Sequence, residues 1–324
     1  MTMHLEFEKP LVELESKIEE LRALARQRAD VHIEEEIGRL ERRAEELCDE
    51  IYATLTPWQK TQVARHPDRP HFADYVENLF DDFTPLAGDR RYAEDSAIVG
   101  GMARFRSYPV MLVGHEKGRD TSDRLAHNFG MAMPEGYRKA TRLMAMADRF
   151  AMPVVALVDT PGAYPGIGAE QRGQAEAIAR CTESCLALSV PNIAVITGEG
   201  GSGGAVALAT ANRVLMLEHG IYTVASPEAC ASILWRSAER ASDAAEALKI
   251  TAKSLLEMKI IDEILREPRG GAHRDAAGMI ATVGDALEES LLDLSRMDAD
   301  ATRHHRRGKF LRMGRDAETE IAEF

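Results

Sequence analysis

Twice in this chain a run of apolar, largely β-branched residues ends in a cluster of glycines and passes at once into a helical pattern. PVVALVDT (153–160) leads through PGAYPGIG into AEQRGQAEAIARCTESCLALSV (169–190), and PNIAVITG (191–198) leads through GEGGSGG (198–204) into AVALATAN. Runs of this length without polar alternation read as strands buried on both faces. With YPVMLVGH (108–115) as a further strand and EGYRKATRLMAMADRFA (135–151) as a further helix, strands alternate with helices and the architecture is α/β. In such folds ligands sit at the carboxyl ends of parallel strands, where helix N-termini supply N–H donors and partial positive charge.

Three chemistries compete for GEGGSGG. Gly198, Gly200 and Gly203 fit the dinucleotide fingerprint G-x-G-x-x-G, and Glu218 stands where its acidic residue belongs. Against it, only the short stretch 204–211 separates the glycines from the next strand, RVLML (213–217), which is brief for a crossover helix. Gly200, Ser202 and Gly204 fit the hydrolase elbow G-x-S-x-G, with Asp262 and His273 following in the chain order of α/β-hydrolases. The third reading uses no side chain: glycines leave backbone N–H groups bare at a helix start, open to an anionic oxygen. DTPG (159–162) matches part of a GTPase switch, but no phosphate-binding loop precedes it. Met258-Lys259 lies in the helix-like SLLEMKIID and reads as a core methionine beside a surface lysine.

The flanks are simpler. Leu11, Leu14, Ile18, Leu21 and Ala25, then Ile37, Leu40, Ala44, Leu47 and Ile51 after a break near Asp30, predict a helical hairpin for packing or oligomerisation. The segment 62–76, with prolines at 67 and 70, reads as irregular, and RHHRRGKFLRMGR (303–315) as a solvated or subunit-contacting helix. A net charge of −13 argues against nucleic acid as a partner. The N-terminus lacks a signal-peptide pattern and no run is long enough to span a membrane, so a cytoplasmic location is expected. Cys48, Cys181, Cys185 and Cys230 lack metal-binding spacing and read as reduced thiols, the middle two buried on one helix face.

The series RLMAMADRFAMPVVALVDTPGAYPGIGAEQRGQAEAIAR, GEGGSGGAVALA, SPEACASILWRSA and EPRGGAHR resembles the carboxyltransferase alpha subunit of bacterial acetyl-CoA carboxylase. AGDRRYAEDSAIVGG, GHEKGRDT and NFGMAMPEGYRKA extend the likeness, which fades after about residue 290. The resemblance implies a crotonase-like superhelix of ββα units (56–290), an N-terminal helical hairpin (1–55) and a C-terminal helical tail (291–324). It implies transfer of a carboxyl group from carboxybiotin, on a separate carrier protein, to acetyl-CoA, giving malonyl-CoA. Carried over residue by residue, backbone N–H groups of Gly203 and Gly204 form the biotin-side oxyanion hole, with Gly162 as a further neighbour and Gly201 and Ser202 lining the site. The implied partners are a zinc-ribbon beta subunit in an alpha-two beta-two assembly, the biotin carboxyl carrier protein, and biotin carboxylase, which alone uses ATP. No metal site is expected in this chain. Lys117, Arg119, Arg138 and Lys139 are open to two roles, contact with phosphates or acidic partners and ordinary ion pairing.

Overall fold

The computed structural model describes residues 4–26 and 31–314. Helices α1 (Lys9–Ala25) and α2 (Val31–Ala53) form the expected hairpin, although the break near Asp30 lies outside the described residues. Leu11, Ile18, Ala44 and Cys48 are buried along its seam, and the same apolar cluster includes Val63 of α3 (Pro57–Ala64), which seats the hairpin on the rest of the chain. Helix α3 starts with a reciprocal cap. Thr56 Oγ1 accepts from the Gln59 N–H at 3.2 Å and the Gln59 side chain accepts from the Thr56 N–H at 2.9 Å. The segment 62–76 is irregular only at 65–71, because α4 (Phe72–Leu79) begins beyond both prolines, where the Asp74 side chain takes the His71 N–H at 2.7 Å.

A meander of β1 (Phe80–Pro85), β2 (Ile98–Phe105) and β3 (Tyr108–His115) opens the sheet. Then follow α5 (Thr121–Ala126), α6 (Pro134–Arg149), β4 (Val154–Thr160), α7 (Ile167–Gln171), α8 (Gln174–Ala187), β5 (Asn192–Gly201), α9 (Ser202–Ala209), β6 (Arg213–Leu217) and β7 (Ile221–Thr223). Helices α10 (Pro227–Trp235), α11 (Ala241–Ala247) and α12 (Ala252–Glu257) precede β8 (Glu263–Leu265), and α13 (Ala276–Leu294) and α14 (Ala299–Arg312) close the chain. The stretch 169–190 is thus two helices rather than one, broken between Gln171 and Gln174. From β3 onward the strands are parallel in the order β3-β4-β5-β6-β8, while β7 pairs with the far end of β5.

Alternation along the strands explains two cores. Ala156, Val158, Ala194 and Ile196 pack toward α6, α8 and α9, while Val155, Leu157, Ile193 and Val195 pack toward α4 and α13. Both faces of the sheet are therefore covered, as the unalternating sequence runs require. All four cysteines are free thiols, with Cys181 and Cys185 fully buried. No helix among the described residues is long and apolar enough to cross a membrane.

Two expectations are corrected. Met258 is exposed rather than core, because α12 ends at Glu257 before it. The basic C-terminal helix is docked on its own chain. Arg306 is completely buried and donates to Leu188 O at 2.7 Å, Val190 O at 2.9 Å and Asn212 Oδ1 at 2.5 Å, and Lys309 pairs with Asp262. The carbonyls at the end of α8 need donors, and α14 supplies them. Of the tail 291–324, residues 315–324 lie outside the described residues.

Candidate active site

GEGGSGG is less of a loop than its composition predicts. Strand β5 continues through Gly201, with Gly200 opposite Thr160 of β4 and Gly201 opposite Thr223 of β7, so the chain bends only at Ser202. Ser202 takes a left-handed φ of +51° and is already the first residue of α9. Gly201 is the N-cap and brings no capping side chain. The N–H groups of Ser202, Gly203 and Gly204 therefore have no carbonyl partner within the helix, and they emerge at its positive end.

The turn after β4 lies directly against this one. A Cβ on Gly201 would run into the Pro161 carbonyl and stand 2.7 Å from Gly162 N; a Cβ on Gly204 would lie 2.9 Å from Ala163 N and Gly162 C and 3.0 Å from the buried Tyr137 hydroxyl. Gly162 itself has φ +144°, so conformation rather than space demands glycine there. Gly203 differs, since a Cβ there would meet only Ile178, at 3.4 Å. Beside it opens a cavity of about 330 Å³ lined by Tyr164, Gly173, Gln174 and Ile178 among others. The Thr160 hydroxyl accepts from the Gly162 N–H at 3.1 Å and donates to Gly162 O at 2.8 Å. The Gly162 N–H is thereby engaged within its own turn, and the residue shapes that turn.

On the opposite face of the same strand ends sits a network of charges. Asp159 Oδ1 accepts from the Glu199 N–H at 2.8 Å and lies 2.6 Å from Lys117 Nζ; Arg65 joins Glu199 at 2.7 Å and Glu228, at the start of α10, at 2.6 Å. Burial alone would raise the Asp159 carboxyl, but the charge and hydrogen bond of Lys117 outweigh it and hold the group below its usual range. His115, fully buried beside the pair, is pushed down to about 3 by desolvation and stays neutral. Arg65, His71, Lys117, Arg124 and Phe129 line a cavity of about 200 Å³ over these carboxylates.

Residues 4–314 match the family described as acetyl co-enzyme A carboxylase carboxyltransferase-like. The chain is 62% identical to the acetyl-coenzyme A carboxylase carboxyl transferase subunit alpha of Rhodopseudomonas palustris strain HaA2 over 97% of its own length and 98% of the relative's. Against the subunit of the same name from Xanthobacter autotrophicus it is 61% identical, covering 97% and 99%. The chain belongs to this family. It is accordingly an enzyme subunit of the carboxyltransferase kind. Among solved structures, transcarboxylase 12S superposes with a TM-score of 0.58 at 18% identity, over 70% of this chain and 42% of that one. A Pseudomonas malonate decarboxylase hetero-tetramer gives 0.57 at 20%, over 72% and 91%. These likenesses show that the fold is the crotonase-like one expected of the carboxyltransferase family.

Within that family fold, Gly162, Gly201, Ser202 and Gly204 lie against one another where the two turns meet, and Gly203 faces Ile178. The alternative hydrolase set does not come together. Asp262 is bonded to Val214 N at 2.7 Å and to Lys309, and the His273 ring is stacked on His66 with 4.1 Å between ring centroids. Of the four basic residues left open, Arg119 pairs with Asp74 and Glu77, Lys139 with Glu94, and Lys117 with Asp159, while Arg138 lies 3.8 Å from Glu135 and donates to Arg172 O. Asp159, Thr160 and Glu199, at or beside the two glycine runs, are carried by no motif, and their pairing shows only in the folded chain. Among the described residues no cluster of three or more His, Cys, Asp or Glu side chains is placed to hold a metal ion.

Proposed function

We propose that this chain is the alpha subunit of an acetyl-CoA carboxylase carboxyltransferase and transfers the carboxyl group of carboxybiotin, presented on a separate carrier protein, to acetyl-CoA, forming malonyl-CoA for fatty acid biosynthesis. The observation that carries this reading is the uncapped first turn of α9 set against the Pro161–Gly162 turn. When bound, biotin supplies a carboxyl group attached beside its ureido oxygen. The N–H groups of Gly203 and Gly204 hold the negative charge that develops on that oxygen, and Gly162, Gly201 and Ser202 shape the cleft around it. These donors are fixed by the strand–helix junction before any chemistry occurs, and losing one such donor costs about 3 kcal/mol of transition-state stabilisation. No protein nucleophile is required, so the Ser202 hydroxyl stays unreacted.

The carboxyl edge of the sheet also carries an apolar rim. Leu125 and Phe129 beyond β3, Ile167 beyond β4, and Val224, Ile233 and Leu234 beyond β7 are all exposed. Exposed apolar side chains gathered after the strand ends fit a partner surface. In this proposal the partner is the zinc-ribbon beta subunit, in an alpha-two beta-two assembly that completes the site with the CoA-side donors. The biotin carboxyl carrier protein and biotin carboxylase, the component that uses ATP, act alongside it in the cytoplasm. The hairpin (1–55) and tail (291–324) flank the catalytic domain (56–290) as packing arms.

The test is to co-express the chain with the beta subunit and assay malonyl-CoA decarboxylation with free biotin as acceptor, comparing wild type, Ser202→Ala and Gly204→Val. Activity should require both chains, survive Ser202→Ala and collapse in Gly204→Val. Ester turnover by the lone chain that depends on Ser202 would overturn the proposal.

A further inference from the structure

Strands β4 and β5 run in step from Val154 opposite Asn192 to Val158 opposite Ile196, and then slip: Thr160 stands opposite Gly200. Three residues of β5, Thr197 to Glu199, thus span the place of one residue of β4, Asp159. A slip of this kind leaves ladder donors without partners, and its geometry has to be held by something other than the ladder. Here the Asp159 carboxylate holds it, taking the Glu199 N–H at 2.8 Å while Lys117 Nζ stands 2.6 Å from the same oxygen and 3.9 Å from Glu199 Oε2.

Two glycines, Gly198 within the slip itself and Gly130 just ahead of α6, keep room for this arrangement. A Cβ on Gly198 would lie 2.6 Å from Asp159 Oδ1, and one on Gly130 would lie 2.9 Å from Lys117 Cγ and 3.0 Å from Asp159 O. The consequence reaches the cleft within one residue. Thr160, next to Asp159, bridges both polar groups of Gly162 through its hydroxyl, and the Pro161–Gly162 turn abuts Gly201 and Gly204. How far β5 advances past β4 before α9 begins therefore fixes where the first N–H groups of α9 point.

We propose that Lys117 and Asp159 are positioning residues for the carboxyl-transfer site, acting from the opposite face of the sheet as a buried ionic splice that sets the stagger of the two glycine turns. The proposal rests on the carboxyltransferase reading above. Neither side chain is assigned a contact with substrate, and each acts through the backbone of the turn that follows it. A displacement of the donors by even 1 Å is enough to lower turnover about 100-fold.

The experiment uses the chain in complex with its beta subunit. Steady-state kcat and KM are measured for malonyl-CoA decarboxylation with free biotin, together with thermal midpoints, for Lys117→Met, Asp159→Asn, the double variant, and Arg306→Met. Arg306 is the stability control, because it bonds Leu188, Val190 and Asn212 at the amino ends of β5 and β6, on the far edge of the sheet. Expected for both single variants is a fall in kcat of about 30- to 100-fold with KM for malonyl-CoA within about threefold of wild type. The double variant should be no worse than the poorer single one, because the two side chains act as one unit. Arg306→Met should lower the thermal midpoint while kcat at a permissive temperature stays near wild type. The splice is overturned if Lys117→Met and Asp159→Asn keep wild-type kcat, or if kcat falls only in proportion to lost folded protein, as in the control. An inactive wild-type complex would instead remove the carboxyltransferase reading on which it rests.

Discussion

At the scale of single residues, the two adjacent glycines at the start of α9 are not equivalent. A methyl group at Gly204 meets backbone atoms of residues 162 and 163 at 2.9 Å, which cannot yield without moving the neighbouring turn; a methyl group at Gly203 meets only the Ile178 side chain at 3.4 Å. Gly204→Ala is therefore expected to lower kcat of the assembled enzyme about 100-fold. Gly203→Ala should fold as well as wild type or better, since alanine is favoured over glycine within a helix by about 1 kcal/mol. Thermal midpoints of the two isolated variants make the comparison, and a Gly204→Ala chain as stable as Gly203→Ala would contradict the packing argument. Ser202 carries a related constraint. Its φ of +51° is a conformation that costs a non-glycine residue about 1–2 kcal/mol, so Ser202→Gly should raise the midpoint while Ser202→Ala leaves it unchanged.

At the scale of elements, α14 shows how a polar helix becomes part of a core. Its Arg306 is pushed down to about 10 by burial yet remains charged at neutral pH, and it satisfies carbonyls at the end of α8 that no backbone donor reaches. Arg306→Met keeps the apolar stem and removes the donors. It should cost about 3 kcal/mol in urea unfolding, because the buried carbonyls of Leu188 and Val190 lose their donor together and Asn212 Oδ1 loses one of its two. A loss below about 0.5 kcal/mol, the usual range for surface substitutions, would show the helix to be ornamental to stability. The glycine-rich end of β5 is the complementary case, a sequence that looks like a loop and is held as strand by ladders on both sides.

At the scale of the whole molecule, buried titratable groups set the response to pH. Burial pushes His219 down to about 4 against a partly offsetting Glu267, and His115 to about 3, so both are neutral in the folded chain. The unfolded chain takes up those protons near pH 6.5, so the stability is intact above that value and declines as pH falls toward 4. Glu267 resists burial through the charge and hydrogen bonds of Arg69, which hold it at about 2, and its share is present above pH 4.5 and lost below. The thermal midpoint should thus be flat from pH 8 to 7 and fall in two stages on acidification, and a flat profile down to pH 5.5 would count against the histidine assignment. The apolar rim makes a separate prediction. Ile233→Glu and Leu234→Glu should leave the isolated chain's stability within about 0.5 kcal/mol of wild type while weakening association with the proposed beta subunit, measured by analytical ultracentrifugation.

Local patterns determined a great deal by themselves. Unalternating apolar runs marked β3 and β4 almost to the residue, because a strand covered on both faces has no polar positions to blur its limits. The 3,4-spaced hairpin and the two glycine clusters were equally legible, as was the prospect of bare N–H groups at a helix start. What the tertiary structure decided concerns partners distant in the chain. That β5 slips against β4 over Asp159 and that Lys117 ends up beside that carboxylate follow from strands about 40 residues apart coming into register. Charged residues such as Arg306 read as surface in any window of sequence. Only the folded chain brings buried carbonyls to meet them, and desolvation makes that meeting obligatory.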